Sequence, residues 1–185
     1  RNEEPEKASR PYDNDRDGLV ASEGGVSIVV EDLNHALERD ANIYAEIVSY
    51  ATACEAQDVF HVELNGKTLF TALKQALING KIRGEEMDYI CAFFGDHAYN
   101  IPISSIKSMT GHAFAAAGGF QVVAASLSLK NGIIPPTINL DIPDPLCDLD
   151  YVPHSARYCS MDTALINTHS VGGTHAVLVL KKYPQ

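Results

Sequence analysis

The run Ile103-Ser-Ser-Ile-Lys-Ser-Met-Thr-Gly-His112, followed by the 17 uncharged residues Ala113 to Leu129, decides how this chain is built. An apolar strand-like start passes through a polar turn into a stretch long enough for four turns of helix. That stretch holds two glycines, a glutamine and two serines, so it suits a buried helix rather than a bilayer span, and no membrane segment is expected. Its apolar residues show little sidedness, which predicts a helix from about Ala113 to Lys130 that is covered on nearly every side.

Outward from this helix, strand and helix patterns alternate. Val26 to Val30 reads as a strand feeding an amphipathic helix over Glu31 to Asp40, with Leu33, Ala36 and Leu37 on one face. Ile43 to Tyr50 is rich in β-branched and aromatic residues and reads as a strand. Thr68 to Ile78 reads as a helix that presents Phe70, Leu73 and Leu77. Met87 to Cys91, Ile101 to Ser105, Ala164 to Asn167 and Ala176 to Leu180 read as further strands. The expected fold is α/β, a sheet sandwiched between helices in one domain. One junction strains this order: eight residues, Phe93 to Asn100, are too few for a parallel crossover between the two strands they join. The region from Cys54 to Gly66 shows no clear period and is expected to be a loop.

Composition narrows the function. With 45% hydrophobic and 21% charged residues in 185, the chain can bury a real core. Its net charge of -10 argues against nucleic acid as a partner. Cys54, Cys91, Cys147 and Cys159 form no CxxC pair and are expected to be thiols in a reducing cytoplasm. Arg1 stands where an initiator Met would be, as if the chain began inside a longer sequence.

Two segments carry the chemistry. His112 falls at the start of the long helix, where the helix dipole and burial both favour neutral imidazole, with Lys107 in the same turn. The small polar residues Ser104, Ser105, Ser108, Thr110 and Gly111 around it suggest a lined cavity. The second segment is Asn167-Thr-His-Ser-Val-Gly-Gly-Thr-His175, whose Gly172-Gly173 turn serves either as a plain hairpin connection or as a set of amides for an oxyanion. His169 and His175 match no helical or knuckle spacing for a metal, so no metal is expected. Neither a Walker A nor a GxGxxG motif occurs. Asn2 to Gly24 reads as a charged loop. Asp13, Asp15 and Asp17 resemble a calcium loop only superficially, because Arg16 interrupts them and no closing Glu follows.

Taken in order, Ser9-Arg-Pro-Tyr-Asp13, Lys107-Ser-Met-Thr-Gly-His112, Ile134-Pro-Pro-Thr-Ile-Asn-Leu140, Cys147-Asp-Leu-Asp-Tyr-Val-Pro153 and Gly172-Gly-Thr174 resemble the C-terminal half of a β-ketoacyl-acyl-carrier-protein synthase. The resemblance spans almost the whole chain. It implies a thiolase-like fold, with residues 1–185 as one half of a five-layer αβαβα architecture. The cysteine nucleophile would then lie in an N-terminal half absent from this sequence. It further implies decarboxylative Claisen condensation in fatty-acid or type II polyketide elongation. His112 and Lys107 would be the active-site pair, and Val171, Gly172 and Gly173 would form the gating loop, with the Val171 amide as an oxyanion donor.

The implied cofactor is none of the chain's own but the phosphopantetheine of an acyl carrier protein. The implied partners are that carrier and a second ketosynthase subunit, as homo- or heterodimer. An acidic carrier would need a basic patch, for which Lys7, Arg10 and Arg16 or Lys81 and Arg83 are the candidates.

Several departures stand out. The His-Gly-Thr-Ser-Thr motif expected after Cys91-Ala92 is absent, so a segment is missing between 92 and 93, at the junction already strained. Val171 replaces a gating Phe, Thr168-His-Ser170 replaces Ser-Phe-Gly, and Gln121 stands where an acid is expected. These changes open a second reading, a catalytically silent chain-length-factor subunit that shapes a partner's acyl tunnel. A third is an inactive fragment.

Overall fold

The computed structural model describes residues 3–56, 65–83 and 95–184. The expected strand Met87 to Cys91 and the junction at 92 and 93 lie outside them.

The central sheet has three antiparallel strands in the order β1-β5-β4, where β1 is Glu46–Cys54, β4 is Thr163–Ser170 and β5 is Thr174–Lys181. Two helices sandwich it: α2, Lys67–Gly80, on one face and α4, Ala117–Asn131, on the other. The alternation of the strands explains both layers, because successive side chains point to opposite faces. Leu165, Val177 and Val179 pack with Leu73, Ala76 and Leu77 of α2. Ala164, Ile166 and Leu180, one residue out of phase, pack with Ala125 and Leu129 of α4. Leu165 and Val179 pair across the sheet and are completely buried, each worth about 1.5–3 kcal/mol relative to exposure.

Helix α2 lies close to β1 because its inner face is partly alanine. Ser49 Oγ donates to the carbonyl of Ala76 at 2.7 Å, deep in that contact. The inner face is Ala72, Leu73, Ala76 and Leu77, while Phe70 stays half exposed, contrary to the expected face. Packing against the sheet selected the stripe holding the small residues, which rotates the helix away from Phe70.

Three further expectations fail. Val26 to Val30 pairs with no strand among the described residues and Val29 is 82% exposed, so the segment is not a strand. Ile101 to Ser105 is not a strand either, although Ile101 and Ile103 are buried. Ile103 donates its amide to Asp150 at 2.7 Å and joins Leu140 and Tyr151 in a third apolar cluster, so β propensity there is spent on a buried loop. Helix α4 buries Ala117, Ala125, Ser128 and Leu129, but Val123 and Leu127 remain about 40% exposed. Among the described residues it is covered on one side only. The short helix α1, Leu33–Glu38, is capped by Asp32, whose side chain accepts the Asn34 amide. The strands β2, Ile133–Ile134, and β3, Arg157–Tyr158, form a separate ribbon. Among the described residues no helix is long and apolar enough to cross a membrane.

Candidate active site

The site is built at the entry to α4. A one-turn helix, α3, spans Lys107–Thr110 and ends at Gly111, whose φ of 67° and ψ of -166° are accessible essentially to glycine alone. A Cβ at Gly111 would stand 3.0 Å from the Val20 carbonyl oxygen and from Ser22 Cβ. That close approach lets His112 dock on the Leu19 to Ser22 segment, with an isolated bridge between Ala21 and His112. Its amide donates to Val20 at 2.7 Å and its carbonyl accepts from Ser22 at 3.0 Å.

The imidazole is then oriented by the chain that follows. Phe114 donates its amide to His112 Nδ1 at 2.9 Å, so in the neutral ring the proton resides on Nε2, which is left as a donor. Burial first, and the Lys107 charge second, hold the His112 pKa below the ordinary value of 6.5. Burial likewise pulls Lys107 below the ordinary lysine value. The Lys107 charge thus reaches His112, whereas the depression of Lys107 itself comes from burial.

Two loops brace this turn. Thr137 Oγ1 accepts from the Ser105 amide at 2.9 Å, and Ser108 Oγ accepts from the Ile138 amide at 3.0 Å. Ser9 Oγ donates to the Lys107 carbonyl at 2.5 Å. The N-terminal loop is itself locked by Asp13, which is fully buried and accepts the amides of Asp15, Asp141 and Ile142 together with an Arg10 guanidinium N–H at 3.1 Å. Burial pushes the Asp13 pKa up, but those four donors outweigh it and leave the carboxyl below its ordinary value. Asp13 is thus an internal clasp. Arg10 is consumed by it, and Arg16 pairs with Asp144 at 2.6 Å, so the Lys7, Arg10 and Arg16 patch offers no cluster of free cations.

A cavity of about 370 Å³ lies between α4 and the sheet, with Ser104, Ser105, Lys107, Gln121, Asn167 and His169 in its wall. Gln121 Oε1 and Asn167 Oδ1 are buried there without hydrogen-bond partners. The structure thus joins Lys107 to Gln121 and His169, two positions where the family pattern is broken. Val171 sits apart, at the tip of the β4–β5 hairpin and 79% exposed. Gly172 and Gly173 turn that hairpin with φ of 92° and 74°. Lys81 and Arg83 are exposed just after α2, with Lys81 as its left-handed cap.

Residues 85–141 match the family model described as "Beta-ketoacyl synthase, C-terminal domain". The "3-oxoacyl-[acyl-carrier-protein] synthase 2" of Coxiella burnetii is 42% identical over 200 residues, covering 98% of this chain and 48% of that protein. This chain is a relative of the C-terminal half of the β-ketoacyl synthases. Solved structures agree. A chain from a type II PKS acyl-carrier protein in complex with its ketosynthase bound to the hexaketide superposes with a TM-score of 0.90 at 32% identity, over 97% of this chain and 48% of that one. The ishigamide ketosynthase/chain length factor gives 0.89 at 32% identity, over 95% and 47%. The thiolase-like α/β class inferred from the motifs therefore holds, and the chain spans about half the length of the β-ketoacyl synthases it matches.

What sequence reasoning missed is the company kept by His169 and His175. Both rings sit on one face of the hairpin beside Glu55, which follows β1, more than a hundred residues earlier in the chain. Local spacing cannot reveal a group assembled by sheet register.

Proposed function

We propose that this chain is the C-terminal half of a β-ketoacyl-acyl-carrier-protein synthase that performs decarboxylative Claisen condensation. The carrying observation is the tautomer of His112, whose Nδ1 accepts the Phe114 amide and whose Nε2–H remains as a donor. As malonyl-carrier protein loses carbon dioxide, negative charge develops on the thioester oxygen. A neutral imidazole N–H pointing at that oxygen stabilises the enolate without first giving up a charge. Lys107 adds positive potential and helps keep the ring neutral. Val171, Gly172 and Gly173 form the gate opposite, and the Val171 amide is an oxyanion donor once an acyl-cysteine from the N-terminal half is in place.

The wide apolar groove beside α4 supports the half-molecule reading. Ile28, Val30, Leu33, Tyr44, Val123 and Leu127 line about 780 Å³ of it, and an all-round apolar helix requires cover on that side. The N-terminal half supplies the cover, making α4 the middle of five layers and residues 1–185 the C-terminal part. Relatives align over 200 positions while using 98% of a 185-residue chain, so they hold positions this chain lacks. A segment missing between 92 and 93, the place of the His-Gly-Thr-Ser-Thr motif, would account for such positions. Phosphopantetheine arrives on an acyl carrier protein that docks near Lys81 and Arg83, and the enzyme works in the cytoplasm as a homo- or heterodimer.

Gln121 favours a second reading. It stands in the same cavity wall as Lys107, where an acid would balance the charge, and a chain-length-factor subunit needs no such balance. One assay separates the two. In the full protein, with its N-terminal half, His112→Ala is expected to slow malonyl-carrier decarboxylation by about 10²–10³-fold. A wild-type protein with no decarboxylation of its own would establish the silent subunit, and an unchanged rate in the variant would refute the role of His112.

A further inference from the structure

We propose that Glu55, His169 and His175 form a binding site for a divalent cation of the zinc class, with two imidazole nitrogens and one carboxylate oxygen as ligands. The site follows from strand register. His169 and His175 are directly opposed across the β4–β5 pair, and Ala53 opposes His175 on the other side, so the end of β1 delivers Glu55 to the same place. The two rings stack at 4.5 Å with 9° between their planes. Their Nε2 atoms address one oxygen, Glu55 Oε1, at 2.7 Å from His175 and 4.0 Å from His169. All three ligand atoms lie within 4.8 Å of one another.

A tetrahedral ion with bonds of about 2.0–2.2 Å needs ligand separations of roughly 3.3–3.5 Å. The two observed distances straddle that value and must change by roughly 0.6–0.8 Å, and because an imidazole binds an ion in its own ring plane, the more exposed His169 ring must also turn out of the stack. The scaffold is rigid enough to hold the ion. The Glu55 amide donates to the Gly173 carbonyl at 2.9 Å, and a Cβ on Gly173 would stand only 2.9 Å from Glu55 Cβ, so this glycine permits the carboxylate to tuck beneath the turn. The side chains of Glu55 and His175 are 1% and 8% exposed, whereas His169 is 34% exposed and forms part of the cavity wall. The ion's remaining position therefore opens on the His169 side. Two imidazoles with one carboxylate and an open position suit zinc, cobalt or ferrous iron and disfavour calcium or magnesium, which take mainly oxygen ligands.

This inference does not rest on the condensing-enzyme reading, since its readout is binding. Chain stripped with a chelator is titrated with Zn²⁺ by calorimetry and with Co²⁺ by visible absorption. One equivalent is expected to bind, with the intense absorption of tetrahedral cobalt. His169→Ala changes the most exposed ligand and leaves the hairpin core intact, and it should weaken binding at least tenfold, with circular dichroism unchanged. His175→Asn should do the same. Absence of saturable binding at one equivalent, or affinity unchanged in His169→Ala, would overturn the site and assign any bound metal to the other histidines.

Discussion

Replacing Gly111 by alanine tests how the site is positioned more directly than removing His112 does. The φ of 67° with ψ near 180° costs a residue with a Cβ about 1–3 kcal/mol in backbone strain. The new methyl also meets the Val20 carbonyl oxygen at 3.0 Å, tighter than an ordinary contact. That oxygen is the one that accepts the His112 amide at 2.7 Å, so relief of the clash lengthens the bond that seats the histidine. For a chain of 185 residues, 1–3 kcal/mol corresponds to a fall in Tm of roughly 2–12 °C. In the full protein, displacement of the imidazole by about 1 Å should lower decarboxylation about 10²-fold while carrier binding persists.

Gly118→Ala provides the contrast. Gly118 lies inside α4, and its Cβ would meet only Thr168 Cγ2 at an ordinary 3.5 Å. That variant should be neutral or up to about 1 kcal/mol more stable, because alanine is the better helix former. Thermal unfolding and the decarboxylation assay on the pair give the answer. A Gly111→Ala protein with wild-type Tm and rate, or a Gly118→Ala protein that loses more stability than Gly111→Ala, would refute the reasoning.

The electrostatic coupling of Lys107 to His112 predicts a shift in pH profile. Because the folded histidine is depressed, neutral imidazole persists below the ordinary value of 6.5 and activity falls only as pH drops through the depressed pKa. Lys107→Gln removes the charge but not the burial, so the acid limb of the decarboxylation profile should move to higher pH; an unmoved limb would contradict the coupling. Asp13→Asn should cost up to about 3 kcal/mol in chemical denaturation at neutral pH, since it leaves the buried Arg10 charge with only the more distant Asp141 carboxylate at 3.8 Å. Asp13 is depressed in the folded state, so its contribution is complete above the ordinary carboxylate value and is lost as pH falls through the folded pKa. The gap between wild type and variant should therefore narrow below 3.8, and a gap independent of pH would exclude the clasp as its source.

Local chemistry made much of this molecule legible. The polar turn and the uncharged run placed His112 just ahead of the long helix, although α4 begins only at Ala117, after a short turn at Phe114–Ala116, and continuous apolar runs marked β4 and β5 with their Gly-Gly connection. The order of motifs was enough to recognise the family, although the contacts those residues make, such as Ser9 with Lys107 and Asp13 with Asp141 and Ile142, join segments far apart in the chain. The same local reading failed at Val26 to Val30 and Ile101 to Ser105. Both have strand propensity, yet a strand exists only where another offers its backbone groups, and the first lies exposed while the second bonds to Asp150.

By itself, then, the sequence determined the helices, the hairpin and the chemical character of the turn at Lys107 and His112, since these depend on periodicity and on residues a few positions apart. Tertiary structure alone decided which face α2 buries, that Arg10 and Asp13 lock the N-terminal loop, and that Glu55 meets His169 and His175. Each of those outcomes joins groups brought together by sheet register or layer packing, and the free energy that selects them comes from burial shared among segments distant in the chain.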